Sequence, residues 1–183
     1  GSPDSYSISW NTAATLAGFN SVTNAGLTSS AINIAVPSQA ASSTYSGTII
    51  VKNAFKSSVS YPIDIRVNAV PSLVLGEMPS ICRGSLKAEI PFTSLSADPN
   101  SYSITWDQPA LSAGFVNVDP GTTFPLASFA VNTPANAPAA IYTGTLTIKN
   151  STCTGLAYPI KVTILNLPEI PQISGLKEVY VNK

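Results

Sequence analysis

Few side chains in this chain could do chemistry. There are two cysteines, Cys82 and Cys153, and no histidine. Without histidine there is no Ser-His-Asp triad, no Cys-His pair and no His-ligated zinc. The nine carboxylates are scattered, and Asp98, Asp107 and Asp119 form the one local cluster in the second half. No Asp-x-Asp-x-Asp loop is present for calcium. No two carboxylates recur between the two halves, so nothing nominates the acid pair of a glycosidase. The expectation is a protein that is not an enzyme and has no catalytic residues, cofactor or metal. Trp10 and Trp106 could stack on the apolar faces of sugars, but each shares a strand face with a tyrosine and an isoleucine, the pattern of core residues. Lys52-Asn53 and Lys149-Asn150 recur at strand ends. A Lys–Asn isopeptide bond would need a buried carboxylate beside them, and turn chemistry accounts for the asparagines more simply. Asn150-Ser151-Thr152 is a formal N-glycosylation sequon.

The composition narrows the field further. Of 183 residues only 10% are charged, nine of each sign, against about 25% in an average soluble protein. Serine, threonine and asparagine together supply 55 residues, so the surface must be neutral and rich in hydroxyls. Such a surface lacks the basic footprint that nucleic acid requires. No apolar run approaches the roughly 18 residues of a membrane helix, so no membrane insertion is expected. The opening Gly1-Ser2 reads as a cloning remnant, and a missing leader there says nothing about export.

The scarce residues sit in a duplicated framework. Pro3-Asp4-Ser5-Tyr6-Ser7-Ile8-Ser9-Trp10 returns as Pro99-Asn100-Ser101-Tyr102-Ser103-Ile104-Thr105-Trp106, at an offset of 96. Ala17-Gly18-Phe19 with Val22 returns as Ala113-Gly114-Phe115 with Val118. After one inserted residue, Tyr45-Ser46-Gly47-Thr48 returns as Tyr142-Thr143-Gly144-Thr145, and Tyr61-Pro62-Ile63 as Tyr158-Pro159-Ile160, at an offset of 97. Four matched blocks in one order define a repeat. The first copy spans 1–70 and the second 71–167. Residues 168–183 read as a tail or the opening of a third copy. The first copy lacks a counterpart of residues 71–98, which should hold two strands.

Within each copy the pattern is β. Tyr102, Ile104 and Trp106 alternate with Ser101, Ser103 and Thr105, and Ile160, Val162 and Ile164 with Lys161 and Thr163. Fifteen prolines and eleven glycines punctuate the segments. Strands are expected near 72–75, 86–92, 101–106, 115–118, 127–132, 142–149 and 157–165, the last five repeating in the first copy. Residues 107–114 carry a cap residue, an early proline and a terminal glycine, the marks of one or two helical turns. Seven short strands between turns make the fold class all-β: two tandem immunoglobulin-like sandwiches, the first lacking its N-terminal strands. Both cysteines lie in the second copy, and Lys56 stands where the first copy would place Cys153. A Cys82–Cys153 disulfide is the expectation, with two free thiols that never meet as the rival. Such a bridge would contribute roughly 4 kcal/mol for a loop of about 70 residues and would imply an oxidising compartment.

Ile81-Cys82-Arg83-Gly84, Pro99 to Ile104, Ala113-Gly114-Phe115, Tyr142 to Leu146, Asn150 to Cys153 and Tyr158-Pro159-Ile160 together resemble a PKD-like, immunoglobulin-like repeat. Such repeats stand in tandem in very large Bacteroidetes surface proteins, gliding-motility adhesins and proteins with type IX secretion signals among them. The resemblance implies a secreted, cell-surface location and a paired Cys82 and Cys153, from which the first copy departs through Lys56. It implies a role in cell adhesion, as a stalk or spacer that presents an adhesive region. The expected partners are neighbouring repeats of the same parent protein. The short linker Asn68-Ala69-Val70-Pro71 agrees with limited swing between domains. The alternative is a lectin-like, carbohydrate-binding module with a surface glycan or polysaccharide as partner, which would need exposed aromatic residues on one face. A sandwich missing two strands also exposes an edge, so strand exchange with another copy is a further expectation, with residues 178–181 as donor.

Overall fold

The computed structural model describes residues 2–168. The expected strands of a third repeat, 172–175 and 178–181, lie outside the described residues. The chain divides into two compact units, one ending at Val70 and the other beginning at Pro71.

The second unit is a complete sandwich. One sheet orders β10 (Ser128–Asn132), β7 (Lys87–Ser96) and β5 (Ser72–Leu75). The facing sheet orders β6 (Ser80–Cys82), β12 (Thr154–Leu165), β11 (Ala140–Lys149), β8 (Ser101–Trp106) and β9 (Val118–Thr123). The pairings are antiparallel except β6 with β12, which is parallel. Three strands facing five is an immunoglobulin-like arrangement. The alternation read from the sequence sets the core: Tyr102, Ile104 and Trp106 of β8, Leu146 and Ile148 of β11, and Ile160, Val162 and Ile164 of β12 are all buried. Against them β7 and β10 bring Ala88, Ile90, Phe129 and Val131, also buried. The helical turn expected after Trp106 is α2 (Gln108–Ser112), with Asp107 as its cap and a proline in its first turn.

The first unit is a single four-stranded sheet, ordered β2 (Val22–Gly26), β1 (Ser5–Trp10), β3 (Ser43–Lys52) and β4 (Tyr61–Val67). Its helical turn is α1 (Thr12–Leu16). Residues 31–35, expected to repeat the strand at 127–132, form no strand. The reason is non-local: in the second unit β10 exists by pairing with β7, and among the described residues the first unit has no β7 counterpart.

Two further expectations change. The strand expected at 115–118 begins at Val118, because Phe115 turns inward to become a buried core residue. The Cys82–Cys153 disulfide is not formed: both cysteines are free, Cys82 exposed and Cys153 half-buried. Cys82 pairs with Leu165 at the end of β12, whereas Cys153 immediately precedes Thr154 at its start. Eleven residues of strand separate those positions, about 35 Å at the rise of an extended chain. A disulfide needs Cα atoms within about 7 Å. The rival reading of two thiols that never meet is therefore the observed one, within this unit.

Candidate functional site

Each unit builds the same aromatic centre. Trp106 of β8 stands directly opposite Gly144 of β11, and Trp10 of β1 opposite Gly47 of β3. A Cβ on Gly144 would lie 2.8 Å from Trp106 Cε3, and one on Gly47 would lie 2.7 Å from Trp10 Cε3. The glycine of the recurring Tyr-Ser/Thr-Gly-Thr motif is thus the seat of the indole ring. The ring then packs on Phe115, and Phe115 on Tyr142, with centroids 4.8 Å apart in both cases. Trp10, Phe19 and Tyr45 repeat the stack at 4.9 Å. Each tyrosine donates its hydroxyl four residues back along the chain, Tyr142 to Pro138 O at 2.9 Å and Tyr45 to Ala41 O at 2.8 Å. This is the corner geometry of sandwich folds.

The helical turns wedge under that stack. Asp107 Oδ1 accepts from Ala110 N–H at 2.9 Å, and Asn11 Oδ1 from Ala14 N–H at 2.8 Å. Ala110 and Ala14 are fully buried beneath the caps. Asp107 also accepts a short hydrogen bond from the Thr143 hydroxyl, and the two bonds hold its carboxyl below the usual range, the Thr143 bond more strongly. In the first unit the corresponding hydroxyl, Ser46, donates instead to Asp64 at 2.6 Å. The second unit has Lys161 in place of Asp64.

A cleft flanks the stack in each unit. In the second it measures about 380 Å³ and is bounded by Trp106, Asn117, Val118, Val131 and Pro134. In the first, Trp10, Asn20, Val22, Asn33 and Ile34 bound about 180 Å³. Two polar groups there are engaged in structure: Asn117 Oδ1 accepts from Trp106 N–H at 2.8 Å, and Trp10 Nε1 donates to Asn20 O at 3.1 Å. Trp106 is only 4% exposed, so its ring forms no platform for a sugar. Trp10 is half-buried.

The remaining candidates do not converge. Asp107 caps α2, Asp98 lies in the connection after β7, and Asp119 sits exposed in β9. Ala97 and Asp98 both have positive φ, 56° and 45°, in the four-residue connection that carries the chain from β7 in one sheet to β8 in the other. Among the described residues no three of His, Cys, Asp and Glu come together as metal ligands. Asn150 organises its hairpin, its Oδ1 accepting from Thr152 N–H and Cys153 N–H while its Nδ2 donates to Ala97 O. Asn53 does the same for Phe55 N–H and Lys56 N–H. No helix among the described residues is long and apolar enough to cross a membrane.

Sequence reasoning missed β6 and the pairing of tryptophan with glycine. The second was available, since Trp and Gly recur together in both copies.

No known family matches this chain, and no curated protein does. Among solved structures it is similar to a two-domain fibronectin type-III segment from chicken tenascin, at 11% identity and a TM-score of 0.38, covering 89% of this chain and 86% of that one. It is also similar to the FN1-FN3 domains of chicken CNTN1, at 15% identity and a TM-score of 0.36, covering 90% of this chain and 57% of that one. A likeness at this level assigns neither family nor function. The class rests on the strands themselves: an all-β protein of tandem immunoglobulin-like repeats.

Proposed function

We propose that the chain is a pair of spacer repeats from a large exported adhesin, displayed on a bacterial surface and carrying an adhesive region on a stalk. The observation that supports this best is the path through the second repeat. Pro71 O lies against Gly155, at 2.6 Å from where a Cβ would stand, and the chain leaves β12 at Leu165. Ten residues of strand, about 30 Å, separate the two ends. A module whose chain comes in at one end and leaves at the other suits serial stacking, and its natural partners are the neighbouring repeats. What recurs between the two copies is internal: stack, glycine seat, cap and corner. Surface positions diverge, with Phe55, Asp64 and Lys56 facing Thr152, Lys161 and Cys153. A ligand site used by every repeat would conserve the reverse.

The PKD-like resemblance and the low-charge, hydroxyl-rich surface support export to the surface of a gliding or type IX-secreting bacterium. The free cysteines lend that location no support. The test is binding of the folded chain to a broad glycan and polysaccharide panel, with an unfolded control. A spacer binds nothing. Saturable binding that is lost on unfolding would replace this reading with a lectin-like one.

A further inference from the structure

The same framework is closed in one repeat and open in the other. Ile104, Leu146, Ile160 and Phe129 are buried in the second repeat. Of their counterparts Ile8, Ile49, Ile63 and Ile32, only Ile8 is buried and the rest are partly exposed. Near α1, Ala14, Phe19 and Tyr45 are buried like Ala110, Phe115 and Tyr142, while Trp10 is half-buried where Trp106 is buried, so the opening lies chiefly over the region that β5 and β7 cover in the second repeat. Tyr158 shows what is missing: its hydroxyl accepts from Leu73 N–H of β5 at 3.1 Å, whereas its counterpart Tyr61 is 51% exposed.

Beside this face runs a ready template. Residues 32–36 form no backbone hydrogen bond among the described residues, although Ile32 and Ile34 are half-buried in alternation. The equivalent residues of β10 are fully laddered to β7, Phe129 opposite Ile90 and Val131 opposite Ala88. An unpaired, extended segment next to an apolar face accepts an added strand.

The chemistry of the occupant follows from the face. Tyr6, Ile32, Ile34, Ile49 and Ile63 line it, and none is charged. β7 matches such a surface by turning Ala88 and Ile90 inward, while Lys87 and Glu89 point away and pair with each other at 2.7 Å. We propose that the open face of the first repeat is a strand-docking groove whose occupant is a segment of the β5–β7 kind. It lies antiparallel to residues 31–35, its equivalents of Ile90 and Ala88 opposite Ile32 and Ile34, and its equivalent of Leu73 N–H on the Tyr61 hydroxyl.

The experiment adds a synthetic peptide of residues 71–98, carrying Cys82→Ser, to the full chain. Binding is followed by calorimetry, tryptophan emission and amide exchange. The expected result is saturable one-to-one binding, a blue shift from the half-buried Trp10 over the constant background of Trp106, and new protection at residues 32–36. A peptide with Ile90→Asp should bind at least about tenfold more weakly, because a charge replaces a fully buried side chain. Absence of saturable binding, or equal affinity for the Ile90→Asp peptide, overturns the proposal. Self-association of the peptide-free chain with residues 32–36 already protected also overturns it, and makes strand exchange with a second copy the answer.

Discussion

Replacing Gly144 with alanine probes the aromatic centre, and the duplicated framework supplies a second instance at Gly47. The added Cβ would stand 2.8 Å from Trp106 Cε3 and 3.0 Å from Thr105 O. To reach an ordinary contact of 3.4 Å the ring must retreat by about 0.6 Å. Its retreat is opposed by burial, with Trp106 only 4% exposed, and by Phe115 at 4.8 Å, and the cleft on its flank is bounded by Val118 and Val131. Overpacking of this kind costs about 1–3 kcal/mol. For a domain near 100 residues, each kcal/mol lowers the melting temperature by roughly 4–8 °C. Gly47 makes an equally close approach to Trp10, but that ring is half-buried and a shallow cleft of about 330 Å³ opens beside it. Trp10 can swing outward, but the added Cβ would also stand 2.8 Å from the backbone oxygen of Ser9, so Gly47→Ala should cost about 1–3 kcal/mol as well. Differential scanning calorimetry of the two variants in the full chain reads both values. A Gly144→Ala or Gly47→Ala protein that melts with the parent would refute the seating of tryptophan on glycine.

Three other outcomes are expected. Alkylation of the folded, unreduced protein should add two groups by intact mass, and spin labels on the native Cys82 and Cys153 should report a separation of about 35 Å; a bridged species of unchanged mass contradicts the strand register. The carboxyl of Asp107 is held down mainly by the Thr143 hydroxyl and then by Ala110 N–H, so its folded value lies below its unfolded one. The stability it contributes is present above the ordinary aspartate range and is lost as pH falls through the folded value. Asp107→Asn keeps the cap that Asn11 already exemplifies. It loses the ionised acceptor for Thr143, so it should fall slightly below the parent at pH 7 and lose less stability on titration to pH 3, whereas an equal acid loss shows that other groups dominate.

The duplication was readable because its parts are locally coded. Alternating aromatic and hydroxyl residues place β1 and β8, the cap and glycine signals place α1 and α2, and the four blocks fix the offset. The features that escaped are set by pairing across the fold. Nothing local in Ser80–Cys82 says that it lies parallel to the far end of β12, and that one pairing carries Cys82 away from Cys153. Residues 31–35 keep the alternation of a strand but lose the strand, because ladder bonds need the neighbour that β7 provides in the other copy. The aromatic stack is legible because Trp, Phe and Tyr recur together, although of the two tryptophans only Trp106 is buried and Trp10 is half-buried. The open face could be seen only once burial in the two copies was compared.

Pulling on the two ends of the full chain tests the spacer role most directly. In the second repeat β6 runs parallel to β12, closed by Thr163 N–H to Pro79 O at 3.0 Å and Arg83 N–H to Leu165 O at 2.8 Å. Tension entering ahead of β6 and leaving after β12 draws the two strands past one another, loading these bonds together. The second repeat should unfold in a single step at well-defined force, and Ile81→Pro, which removes a ladder bond, should lower that force. A second repeat that extends with no resolvable resistance, or an Ile81→Pro variant that resists as well as the parent, would contradict a spacer that withstands tension.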